Sequence, residues 1–147
     1  MTLSGILALI AAIGSGLVGG IYYIFSTTIV AALERLPVDQ TVAAMRAIDR
    51  VIVAPMFLGV FMGTAVVSIA VVVSAPTEPL AWTGAALYVL GSVVLTMVVN
   101  VPLNNALHTA TGGAAETWQA FRPRWMVANH VRTLASIAAA VAFTLLA

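Results

Sequence analysis

Four long apolar stretches, separated by short polar ones, organise this chain. Residues 3–33 carry no charge before Glu34, and residues 51–75 carry none between Arg50 and Glu78. A third run extends from about residue 80 to 101, and a fourth from about 127 to 146. Each approaches or exceeds the ~20 predominantly apolar residues that cross a bilayer at about 1.5 Å per residue. Backbone amides in hydrocarbon must be satisfied within their own segment, so the four runs predict helices rather than strands. The expected fold is all-α: one four-transmembrane-helix bundle filling residues 1–147 as a single domain. The first run has no preceding Lys or Arg and exceeds the length of a signal-peptide core, so a retained span is expected.

The polar stretch between the first two runs has its own period. In PVDQTVAAMRAIDRVI, Val42, Met45, Ile48 and Ile52 recur at helical spacing while Arg46, Asp49 and Arg50 share the other side. This predicts a short amphipathic helix at the membrane interface, with Asp39 as its N-cap. The stretch SAPTEPLAW reads as a tight connection, with Pro76 and Pro79 breaking helix and Trp82 at interfacial depth. Pro123 is expected in the first turn of the fourth span.

Composition fixes the solvent. Only 7% of the residues are charged and 62% are hydrophobic, whereas soluble domains carry about 25% charged residues. The surface therefore faces the lipid bilayer. The six basic residues are all arginines, and they lie at one end: Arg35, Arg46 and Arg50 after the first run, Arg122 and Arg124 before the fourth, Arg132 just inside it. By the positive-inside rule, loops 34–50 and 104–126 are cytoplasmic and both termini outside, in a multi-pass protein expected in a bacterial plasma membrane. The chain has no cysteine and a net charge of +1. That removes disulfides and thiolate metal sites, and no nucleic acid partner is expected.

Small residues mark packing faces: Ala12, Gly16 and Gly20 on the first span, Gly59 and Gly63 on the second. Such spacing lets helix backbones approach within one chain, and it also offers a route to an oligomer. The first face continues through Tyr23 and Thr27, with Tyr22, Ser26 and Thr28 nearby. On the third span, Ser92, Thr96, Asn100, Asn104 and His108 follow at intervals of four, a stripe expected to curl by about 40° per step. Pro102 frees the carbonyl of Val98, so some of these carboxamides are candidates for repairing a kink. On the fourth span Trp125, Asn129, Arg132 and Ser136 share a face, flanked by His130 and Thr133. An ionisable residue about two turns inside a span usually faces the bundle interior or a wet cavity. All four helices thus turn polar at the arginine-bearing end, while the other half reads as Ala, Val, Leu and Gly. A cytoplasm-facing pocket is the inference, with Trp118 and Trp125 as flat walls.

The motifs NVPLNNAL and W-x-x-x-N-H-x-R-T, together with YYIFSTTIVAAL and AMRAID, give the chain a wider resemblance. It resembles the anthrone oxygenase-like family of small four-helix membrane proteins over nearly its whole length. The resemblance implies oxidation of an anthrone, or a similar lipophilic phenol, to a quinone by molecular oxygen as co-substrate, without flavin or haem. The residue types suit that chemistry. A base with a pKa near neutrality removes an acidic proton, and His is the natural choice; His130 is the first candidate and His108 the second. Arg132, Asn100 and Asn104 would hold the enolate oxygen, with Trp118, Trp125, Asn129, Tyr23 and Thr27 around a lipophilic aromatic substrate. Two other classes stay open. One is a metal or haem held by the two histidines with Tyr23, Asp49 or Glu34. The other is a non-catalytic subunit or lipophilic-ligand binder whose polar ends only hold helices together. Transport is disfavoured by the lack of an inverted repeat.

Overall fold

The computed structural model describes residues 2–147, and all regular structure among them is helical. Four helices have the length and apolarity to cross a membrane: α1 (Leu3–Leu33), α3 (Pro55–Ser74), α4 (Pro79–Thr109) and α5 (Ala114–Leu146). Between the first two lies α2 (Val38–Ile52), packed on α5 and on the ends of α1 and α4. Its apolar side is the one expected: Val42 and Met45 are buried, and Ile48 and Ile52 are half-buried against the core. Asp39 is not the cap. Pro37 holds that position and Asp39 falls in the first turn, while Thr41 Oγ1 donates back to the Leu33 carbonyl at 2.7 Å. Backbone at Val53 and Ala54 then leaves helical geometry, and Pro55 starts α3 where its missing amide hydrogen is harmless.

The third and fourth spans are longer than hydropathy predicts, because their polar ends remain helical. α4 runs on to Thr109 and α5 begins at Ala114, which places Pro123 nine residues inside α5 rather than in its first turn. Pro123 and Gln119, whose carbonyl it leaves unpaired, are both exposed at the arginine-bearing end, where water can satisfy that carbonyl.

Packing follows the close glycines, and they are not the expected ones. A side chain at Gly16, Gly20, Gly59 or Gly63 would meet nothing within 4 Å. These positions face outward and do not join the spans. The close approaches are at Gly14, which lies directly under Thr64, at Gly84 under the Phe143 ring, and at Gly91, where a Cβ would come within 2.5 Å of Ala135. The reason is angular. A four-residue step overshoots a helical turn by about 40°, so two steps from buried Ala12 carry Gly20 off the inner face. The buried line of α1 instead follows seven-residue spacing through Ala8, Ser15 and Tyr22, with Ala11 and Val18 beside it. The half of the bundle near the termini is also less uniform than its hydropathy implies. It buries Ser15, Thr64, Ser68, Tyr88 and Ser136, and the Tyr88 hydroxyl donates to the Phe61 carbonyl at 3.0 Å.

Candidate functional site

The inner face of α1 reaches the arginine-bearing end through Tyr22, not Tyr23. Tyr22 is buried, whereas Tyr23 is 54% exposed and Thr27 is exposed beside it, bonding only to the Tyr23 carbonyl and to Thr28. Neither expected residue faces the bundle interior. A π turn at Phe25–Ile29 takes up extra residues and keeps the four-residue series Tyr22, Ser26, Val30 directed inward.

The same device straightens the stripe of α4. Two π segments, Val89–Val94 and Thr96–Asn100, rotate the chain by less than 100° per residue and so cancel the drift of a four-residue repeat. Ser92, Thr96, Asn100 and Asn104 all remain inside or half-inside the bundle. No side chain among the described residues donates to the Val98 carbonyl, so the carboxamides do not repair Pro102. Asn104 Oδ1 accepts the Trp125 indole hydrogen at 2.8 Å. Asn100 is 1% exposed, and neither atom of its carboxamide has a hydrogen-bond partner among the described residues. A bundle held together merely by its polar ends would pair this group, since leaving it buried and unpaired costs about 1–3 kcal/mol.

α5 supplies the charge. Arg132 is buried well inside α5, its Nη1 donating to Thr96 Oγ1 at 3.0 Å and its Nη2 to Asn129 Oδ1 at 2.6 Å. Its guanidinium carbon sits 4.1 Å from the centroid of the Tyr22 ring and 5.6 Å from that of Trp125. Asn129 is fully used in this support, donating to the Tyr22 carbonyl at 2.9 Å and Ser26 Oγ at 2.8 Å. No carboxylate forms an ion pair with Arg132 among the described residues, and its Nε has no partner. The cation is therefore held by neutral groups and a π face, which leaves its charge uncompensated at close range.

His130 lies elsewhere. It is exposed on the outer side of α5, with Nδ1 3.0 Å from Ser26 Oγ, and does not line the cavity. Trp118 is buried but sits near the start of α5, donating to Glu34 Oε1 at 3.3 Å and packing on Phe121; Arg122 Nε lies 2.8 Å from the same oxygen. These contacts tie α1 to α5 and put Trp118 outside the cavity wall. His108 faces Asp49 across 3.7 Å, an ion-pair distance too long for a hydrogen bond. The two histidines thus point to different partners, and no group of three His, Cys, Asp or Glu among the described residues is placed to hold a metal. His108 and His130 therefore do not converge on one ligand.

Asp49, which the sequence offered only as a possible metal ligand, is the residue to which sequence reasoning gave no catalytic role. α2 places it against the cavity, and Arg46 fixes the geometry by donating from Nε to the Leu107 carbonyl at 2.9 Å and from Nη2 to that of Ala110 at 3.2 Å. Burial pushes the Asp49 carboxyl up to about 6, against a smaller opposing pull from Arg132.

These side chains enclose a cavity of about 190 Å³ between α1, α2, α3, α4 and α5. Its inner wall holds Tyr22, Thr96, Asn100, Asn129 and Arg132, its floor Asp49 and Asn104, and its aromatic sides Phe25, Phe57, Phe61 and Trp125. A larger groove of about 480 Å³ runs along α4 and α5 at Leu95, Val99, Val127 and Val131. That groove is a lipid-facing surface feature with almost no polar lining, so chemistry belongs to the smaller cavity. There a carboxyl whose pKa burial raises to about 6, a buried cation and an unpaired carboxamide share one cavity. Such a set can remove a proton from a lipophilic acid and hold the resulting oxyanion. No curated protein and no solved structure matches the chain. Residues 44–142, which carry Asp49, Asn100, Asn104, Asn129 and Arg132, match the anthrone oxygenase family, and the chain belongs to that family.

Proposed function

We propose that this chain is a membrane-embedded oxygenase that oxidises an anthrone-type or similar lipophilic phenol to a quinone with molecular oxygen. The observation that carries the reading is the pair of unpartnered buried groups on one cavity wall, Arg132 Nε and the Asn100 carboxamide. Asp49 takes the place first given to His130 as base. It removes one proton from the ring carbon opposite the ketone, and the electron pair spreads onto the ketone oxygen, held by Arg132 and Asn100. That carbon then bonds to oxygen, which is reduced to a peroxide as the carbon is oxidised, and the peroxide takes a proton. Loss of the second proton from the same carbon breaks the O–O bond, leaving a carbonyl and one water. The sum is anthrone plus oxygen giving anthraquinone plus water. Trp125 and Tyr22 offer the flat faces. With the arginine-bearing end cytoplasmic, as the positive-inside rule favours, His108 faces Asp49 from that side.

Turnover of an anthrone in nanodiscs, corrected for its spontaneous oxidation, tests this reading. Arg132→Met removes the cation with little change of volume but leaves Asn129 Oδ1 without its donor, which costs about 1–3 kcal/mol of stability. Turnover of the folded variant should fall about 10²–10³-fold. Turnover within threefold of wild type would count against the assignment.

A further inference from the structure

The cavity is polar and buried at its back but apolar and exposed at its front. Tyr22, Asn129 and Arg132 at the back are 5% exposed or less. At the front, Leu58 is 39% exposed, Met97 48%, Val53 56% and Val101 37%. Leu58 belongs to α3 and Met97 and Val101 to α4, both membrane-spanning helices, whose halves at this end barely touch. The opening between them therefore faces acyl chains rather than water. Its rim is hydrocarbon and thioether throughout, so nothing there would hold a polar substituent.

Size adds a second constraint. A cavity of about 150 Å³ holds one benzene, and sites for drug-sized ligands run to about 300–1,000 Å³. At about 190 Å³ this space takes one substituted ring, and whatever else the molecule carries must pass through the opening. We propose that the site takes a membrane-resident phenol with a hydrocarbon tail, its ring and oxygen against Arg132 and Asn100 and its tail leaving between α3 and α4 into the bilayer. This substrate class rests on the oxyanion-site reading above, since that site orients the head.

Binding of 4-methyl- and 4-dodecyl-2-nitrophenol to the full chain in nanodiscs, expressed per mole of lipid, tests the proposal. A tail that leaves through the gap costs no fit, so both probes should bind within threefold of each other. Met97→Trp and, independently, Leu58→Trp should weaken the dodecyl probe at least tenfold and leave the methyl probe within threefold; retained methyl binding also reports an intact fold. The proposal is overturned if the dodecyl probe binds wild type more than thirtyfold worse than the methyl probe, or if neither tryptophan discriminates between them. Arg132→Met should weaken both probes alike; if it weakens neither, the oxyanion reading fails, and the tail result stands or falls on the tryptophan variants.

Discussion

Replacing Asp49 by Asn removes the proposed base without changing the shape of the cavity floor. Because burial raises the Asp49 carboxyl to about 6, roughly one molecule in eleven carries the ionised form at pH 5 and about nine in ten at pH 7. The wild-type kcat/KM for anthrone oxidation should therefore rise about tenfold from pH 5 to 7 and then level. Asp49→Asn should abolish that rise and lower the plateau by about 10²–10⁴-fold, the usual contribution of a positioned base. The same shift sets the sign of the stability effect. The folded protein holds the proton more tightly than the unfolded chain, so stability is lost as pH rises from about 4 through 6. Near pH 7.5 the variant should be more stable than wild type by about 1–2 kcal/mol, allowing for the part of the carboxyl that remains wet. Activity and stability thus move in opposite directions, which separates lost chemistry from lost fold. Turnover followed by quinone absorbance and melting in nanodiscs, both across pH 5–8.5, give the two curves. A variant that keeps the wild-type acid limb would refute the role of Asp49.

Further substitutions probe the surroundings. His130→Ala should leave turnover within threefold, because that ring sits outside the cavity and bonds only to Ser26; a hundredfold loss would return it to the candidates for base. Gly14→Ala should destabilise the bundle by about 1–3 kcal/mol, since the new methyl falls on Thr64, and adding Thr64→Ala should recover most of the loss, whereas Gly16→Ala has open space and should be silent. Denaturation midpoints of the three variants check the ranking.

The architecture was written plainly in the hydropathy, because lipid demands long uninterrupted apolar runs and the interfacial helix announces itself by its period. Helix ends were less legible. Nothing in hydropathy separates a polar helical turn from a loop, which is why α4 and α5 extend further than expected and Pro123 moved inside a helix. The site was legible where a residue's chemistry forced it inward: Arg132, Asn129 and Asn100 are too expensive to leave in hydrocarbon. It was not legible where register decided the matter. Tyr22 and Tyr23 are equally credible by type, and the choice depends on a seven-residue line in α1 that the conspicuous four-residue glycine series disguises. In α4 the four-residue series does stay inside, but only because of π turns that no residue type signals. Asp49 was given no catalytic role because in sequence it belongs to the charged face of an amphipathic helix. Only the docking of that helix by Arg46 against the end of α4 turns Asp49 toward Arg132 rather than toward water.

The central claim is that the cavity stabilises an oxyanion through Arg132 and Asn100. The most direct measurement is the ionisation of a bound nitrophenol, read by its phenolate absorbance in nanodiscs with and without the protein. The account predicts that the bound probe ionises at least about one pH unit lower than in protein-free nanodiscs, equivalent to about 1.4 kcal/mol, and that Arg132→Met removes the shift. A bound probe that titrates as it does in lipid alone, or a shift that survives Arg132→Met, would contradict it.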